Sequence, residues 1–204
     1  FEGLVESDVE EEEGEEEGEH EPSQRIKLSH NDRGRFVKKL HSLVEAGDGA
    51  AVRAKLASIE PADAQAIVRT AASDGDTPLH VASLYGHEHV VETLLEFGAD
   101  AEVADGDGGS ALADAAAGGY VAIVRRLLEA GPRAVAMVDA DGETALHTAA
   151  RGGHVAVAAL LVREGRADAR LKNASGQTPA ELAEHSHLRS FLENAAAEAP
   201  VETQ

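Results

Sequence analysis

The stretch DGETALHTAARGGHV, Asp141–Val155, decides how this chain is read. It holds two carboxylates, two histidines seven residues apart and a glycine pair. Such a set could ligate a metal or run acid–base chemistry, or every member could serve the fold. Its surroundings choose between these. The same pattern recurs as GDTPLHVASLYGH (Gly75–His87), GGSALADAAAGGY (Gly108–Tyr120), GETALHTAARGGH (Gly142–His154) and GQTPAELAEHSH (Gly176–His187). The hydroxyl residues Thr77, Ser110, Thr144 and Thr178 are spaced by 33, 34 and 34 residues. A fixed period of this length marks a stacked array of supersecondary units.

One unit can be built from local chemistry. Gly75 permits the positive φ of a tight turn, and Gly142 is expected to do the same. Thr77 stands where a helix N-cap belongs, and Pro78 suits the first helical position because it has no N–H to leave unpaired. Leu79 and Ala82 then face inward on a short helix that ends at Gly86. A second helix carries Val90, Val91, Leu94 and Leu95 on one face, an apolar stripe at helical spacing. Gly98 stops it, and an acidic loop leads to the next unit. Ile123, Val124, Leu127 and Leu128 repeat the stripe, as do Val157, Ala158, Leu161 and Val162. Small residues at Ala115, Ala116, Ala149 and Ala150 let neighbouring helices approach closely.

The period and the T-P-L-H core resemble the ankyrin repeat. The resemblance covers roughly residues 36–194. It implies an all-α ankyrin-repeat solenoid: helix pairs joined by outstretched, hairpin-like loops. It also implies that Gly75, Thr77, Pro78, Leu79, His80, Gly108, Ser110, Gly142, Thr144, His147, Gly176 and Thr178 are structural repeat residues. In this family the His of T-P-L-H bonds the loop of an adjacent unit, a role that falls on His80 and His147. The histidines of the opening stretch therefore read as parts of the stack.

The expected domain is residues 35–194, with repeats at about 74–106, 107–140 and 141–174. Leu40–Ser58 has Leu40, His41, Gly47, Val52 and Leu56 at matching offsets but no glycine turn and no Thr, and reads as a cap spanning 38–58. Residues 59–73 read as an insertion. The C-terminal cap is placed at 175–194, where Thr178 and Glu181 make a T-x-x-E capping box and Leu188, Phe191 and Leu192 close the core. Residues 195–204 are expected to fray.

Charge is unevenly spread over the 204 residues, whose net value is −20. Residues 1–22 carry twelve carboxylates and no Lys or Arg, whereas Arg25, Lys27, Arg33, Arg35, Lys38 and Lys39 cluster just beyond. Residues 1–34 are expected to form a disordered acidic tail and basic linker, because mutually repelling charges cannot build a core. The tail either solvates the chain or docks a basic partner; its basic neighbour at Arg25–Lys39 could also fold back onto it. So acidic a surface repels phosphate backbones, which argues against nucleic acid. The longest apolar run, Val155–Val162, is too short for a bilayer, which needs about 20 residues. No cysteine is present, so disulfides and thiolate metal sites are excluded. The sequence opens on Phe1 rather than Met. The expected compartment is cytoplasm or nucleus, or the chloroplast had a transit peptide been removed.

No other constellation carries chemistry. Asp105-Gly106-Asp107-Gly108 and Asp139-Ala140-Asp141-Gly142 fail the calcium-loop spacing, since glycine is missing at its sixth position from Asp139 and a ligand at its fifth from Asp105. His87 with His89, and His185 with His187, are pairs two residues apart and converge poorly on one zinc. The glycine run at 106–109 lacks the phosphate-loop lysine. No enzyme, cofactor or metal is expected.

The resemblance places partner binding on the concave face, made of loop tips and exposed positions of the first helices. By matching offsets the candidate binding residues are Asp74, Asp76, Leu84, Tyr85, Asp107, Asp141, Glu143 and Arg151, beside a smooth Ala117-Gly118 patch. Leu84 and Tyr85 either form a hot spot or, for Tyr85, pack on His87 or the next unit. Arg151 either reads a partner or pairs with Asp141 or Glu143. The expected function is a non-enzymatic, monomeric adaptor or scaffold for a basic protein. The alternatives are a dedicated chaperone for a basic client, such as a ribosomal protein or histone, and an accessory subunit of an enzyme complex.

Overall fold

The computed structural model of the protein describes residues 25–72 and 75–198. Its regular structure is helical: α1 His30–Glu45, α2 Gly49–Ala57, α3 Pro61–Val68, α4 Pro78–Leu84, α5 Glu88–Glu96, α6 Ala111–Ala117, α7 Val121–Ala130, α8 Ala145–Arg151, α9 Val155–Arg163, α10 Pro179–Leu182 and α11 Ser186–Glu198. A 3₁₀ turn at Pro132–Ala136 follows α7. The pairs α4/α5, α6/α7 and α8/α9 are the three repeats; α1/α2 and α10/α11 close the ends. The inner helices α1, α4, α6, α8 and α10 pack in series, and so do the outer helices α2, α5, α7 and α9. Each unit touches its neighbours, as in a solenoid.

The expected turns are in place. Gly75, Gly108, Gly142 and Gly176 lie at φ 97°, 84°, 71° and 77°. Thr77, Ser110, Thr144 and Thr178 cap the inner helices with extended backbone. The Thr144 N–H donates to His147 Nδ1 at 3.2 Å, and Nε2 of the same ring meets the Gln177 carbonyl of the next loop at 3.3 Å. An Nδ1 that accepts leaves the proton on Nε2, the donor this second contact needs. Burial keeps this imidazole neutral by lowering its pKa below the usual value. His80 makes the same Nδ1 contact with Thr77 at 3.3 Å. The Gly109 and Val103 carbonyls lie near its ring, but neither closes a hydrogen bond onto Nε2. His80 therefore holds its own helix cap more firmly than the next loop.

One inter-unit device has no counterpart in the T-P-L-H reading. A ring at the start of each outer helix lies on a glycine of the preceding unit. A Cβ on Gly47 would sit 2.7 Å from His87, on Gly86 2.5 Å from Tyr120, on Gly119 2.5 Å from His154, and on Gly153 3.0 Å from His185. His87 Nε2 also bonds the Glu45 carbonyl at 3.1 Å, and His154 Nε2 bonds the Ala117 carbonyl at 2.8 Å. The second histidine of the opening stretch thus works as an inter-unit clasp. Ion pairs lie across the outer row: Arg53 with Glu96 at 2.6 Å, Arg126 with Glu92 at 2.7 Å, and Arg125 with Glu164. They are exposed and contribute little each.

The N-terminal boundary needs correction. The expected tail was residues 1–34, but residues 25–34 belong to the folded body. Ile26 N–H donates to the Ser58 carbonyl at 3.0 Å, and Glu60 N–H donates to the Ile26 carbonyl at 3.1 Å. The Asp63 carboxylate, buried at the start of α3, accepts the Leu28 N–H at 2.9 Å and pairs with Arg33. The Leu28 N–H, helped by Arg33, holds this carboxyl below its ordinary pKa. The cap is accordingly longer than 38–58, since α1 begins at His30 and buries Phe36, Leu40 and Val44. The insertion at 59–73 carries its own helix, α3, which buries Ile67 and Val68. α11 continues to Glu198, past the point where fraying was expected. The acidic run of residues 1–22 lies outside the described residues.

Candidate functional site

The loops that join the units are built alike. Asp105 Oδ1 accepts the N–H groups of Asp107 and Gly109, both at 2.8 Å; Asp139 Oδ1 accepts those of Asp141 at 2.9 Å and Glu143 at 2.8 Å. Asn173 Oδ1 does the same for Ser175 at 3.1 Å and Gln177 at 2.9 Å. These side chains replace backbone partners that a loop lacks. The acidic tips first compared with calcium loops thus turn one carboxylate each inward to hold the turn. Neighbouring tips are linked by Ala140 N–H to the Asp107 carbonyl at 2.8 Å and Ala174 N–H to the Asp141 carbonyl at 2.7 Å. The backbone groups of Asp107 and Asp141 are engaged while their side chains remain exposed.

The apolar centre lies at the other end of the inner helices. Leu84 is 48% exposed and Tyr85 56%. Tyr85 stacks on His87, with ring centroids 6.0 Å apart and planes 26° from parallel. Packing on His87 and exposure therefore coexist: one side of the Tyr85 ring is braced and the rest is open. Tyr120 spans two turns, since a Cβ on Gly86 or on Gly118 would strike it. That ring links the Gly86 turn, just past Leu84 and Tyr85 in sequence, to the exposed Ala117-Gly118 patch.

Two candidate residues, Glu143 and Asp76, stand differently from expectation. Glu143 is buried at 6% exposure rather than presented to a partner. Its carboxylate pairs with Arg151, which resolves the choice between Asp141 and Glu143, and accepts Asn173 Nδ2–H at 3.0 Å. A desolvated carboxylate requires such partners. Glu143 therefore positions Arg151 and braces the next loop. Asp76 is half-buried, and its backbone carbonyl accepts the Ala72 N–H at 2.8 Å. Asp74 lies outside the described residues.

The sequence reading passed over Asp114. It stands on α6, one residue after Ala113, which fills the slot of the T-P-L-H histidine. Asp114 is half-buried. Burial first, then the negative charges of Asp105 and Asp76, push its carboxyl up to about 7. The Ala-Asp pair in place of His-x was the available signal.

Among the described residues no group of three or more His, Asp or Glu side chains is placed to hold a metal ion. No helix there is long and apolar enough to cross a membrane. The arrangement offers exposed apolar and aromatic side chains at Leu84 and Tyr85 and exposed carboxylates at Asp107 and Asp141. Such a surface can bury a side chain and attract cations. A family model for ankyrin repeats (3 copies) matches residues 40–136, and one for ankyrin repeats (many copies) matches residues 127–183. No curated protein matches the chain.

Proposed function

The chain belongs to the ankyrin-repeat family, and we propose that it is a non-enzymatic adaptor or scaffold whose acidic concave face binds a basic protein. Ankyrin repeats are protein–protein interaction modules. The observation that supports the finer reading is that the row of inner helices carries exposed Leu84 and Tyr85 at one end, exposed Asp107 and Asp141 in the loops at the other, and half-buried Asp114 on α6. Exposed apolar side chains of this size mark binding surfaces when grouped. The carboxylates select the partner's charge, with Asp114 reaching full ionisation only when a cation meets it or the pH exceeds about 7. Arg151, held by Glu143, is the one cation among the candidate residues.

A capture experiment tests this reading. The protein, immobilised and exposed to lysate at low salt, is expected to retain a basic protein that high salt releases. Retention of neutral or acidic proteins with no response to salt would contradict it. A single very basic protein, kept soluble by the purified chain, would turn the adaptor reading into that of a dedicated chaperone.

A further inference from the structure

A groove of about 760 Å³ runs between α1 and α3 and reaches Val81 of α4. Its floor is apolar, with Val37 and Ile67 beside Val81. Its rim carries Arg33 and Lys38, with Glu45 at the α1 C-terminal end. Arg33 is committed to Asp63, whereas Lys38 is exposed and has no ion-pair partner among the described residues. Lys39 and Arg35, also exposed on α1, add positive charge nearby. His41 lines the same groove, and its Nε2 is buried without a hydrogen-bond partner. An occupant that satisfies this surface brings apolar side chains, negative charge and a hydrogen-bonding group. The basic partner of the acidic face does not suit it.

We propose that the groove receives the chain's own segment Phe1–Glu13. That segment alternates the two properties the groove calls for. Phe1, Leu4, Val5 and Val9 are spaced to share one side of a helix, while Glu2, Glu6, Asp8 and Glu10–Glu13 supply the charge. Its tether is long enough. Eleven residues lie between Glu13 and Arg25, a reach of about 40 Å when extended. Arg25 is close to the groove along the chain, because Leu28 and Arg33 are both fixed to Asp63. A covalent tether also raises the segment's local concentration over that of any free competitor. The proposal is independent of what the acidic face binds.

The full chain can be tested directly, because it has no cysteine. Ser7→Cys gives one attachment point for a nitroxide. At low salt the label is expected to broaden the amide signals of Lys38, His41, Ile67 and Thr70 most strongly. Lys38→Glu, and separately Lys38→Gln, should reduce this broadening severalfold without changing the melting curve, since Lys38 is exposed. Raising the salt should reduce it too. Broadening centred elsewhere, spread evenly over the solenoid or indifferent to both Lys38 variants overturns the proposal. So does broadening that appears only when label and isotope are on separate chains, which would make the occupant a second copy.

Discussion

Gly75→Ala is expected to cost roughly 2–5 kcal/mol of folding stability, and Gly176→Ala only about 1–2 kcal/mol. Both glycines open a repeat turn with positive φ, at 97° and 77°. Both variants therefore force a side chain into the left-handed region, which alone accounts for the smaller figure. They differ in what a Cβ meets. At Gly75 it would lie 2.3 Å from the Gly106 nitrogen and 2.5 Å from its Cα, backbone atoms that cannot swing away; at Gly176 nothing lies within 4 Å. The added penalty at Gly75 is that of overpacking against the next unit's loop. Urea denaturation of the two variants beside the parent protein checks this. Equal losses would show that the loops do not stack as closely as described.

Asp114→Asn should stabilise the protein by about 2 kcal/mol at pH 8 and have little effect near pH 4. The carboxyl rises from an ordinary 3.8 to about 7 in the folded chain. That change is worth roughly 4 kcal/mol at about 1.4 kcal/mol per tenfold, and solvent reaching the half-buried group reduces it. The direction follows from proton uptake. Between about 4 and 7 the folded chain holds a proton that the unfolded chain has released, so stability falls as pH rises through this range. Above about 7 the cost is complete, and the asparagine variant never incurs it. The buried His80 and His147 act in the opposite sense. Their pKa values are lowered by burial, so they remove stability as pH falls below their ordinary value of 6.5. Both histidines are present in each variant, so the difference between the two stability profiles isolates Asp114. A constant difference at every pH would contradict the assigned burial. The variant is also expected to bind a basic partner less well, a case of function retained at the expense of stability.

The repeat array was legible because each unit encodes its own geometry. Gly142, Thr144 and the apolar stripe of α9 dictate turn, cap and helix face with no knowledge of the neighbours. Contacts between units were less so. Glu143 was read as a surface carboxylate because only folding brings Asn173, thirty residues away, onto it. The rings of His87, Tyr120 and His154 recur at the repeat period, with His185 slightly early in the shortened last unit, but their glycine seats lie in the preceding unit. The N-terminal boundary was misplaced for a further reason. Ile26 is held by backbone hydrogen bonds to residues 58 and 60, which no side-chain pattern announces. On the proposed face, the exposure of Leu84 and Tyr85 follows from their offset in the repeat, whereas the raised pKa of Asp114 depends on burial and on two distant carboxylates.

The proposed basic partner is drawn to the concave face by the loop-tip carboxylates and anchored on Leu84 and Tyr85. Rate measurements on the captured partner at several salt concentrations test this most directly. Long-range attraction acts mainly on association and is screened over about 8 Å at physiological ionic strength. Desolvated aromatic contact acts mainly on dissociation. Asp107→Asn with Asp141→Asn is therefore expected to slow association and flatten its salt dependence. Tyr85→Ala should speed dissociation, with a loss of about 2 kcal/mol. Arg126→Glu, on the outer helices where Arg126 meets Glu92 at 2.7 Å, should leave both rates unchanged. If Arg126→Glu alters the rates while the concave-face variants leave them as they were, the partner sits on the convex side and the assignment of this face is wrong.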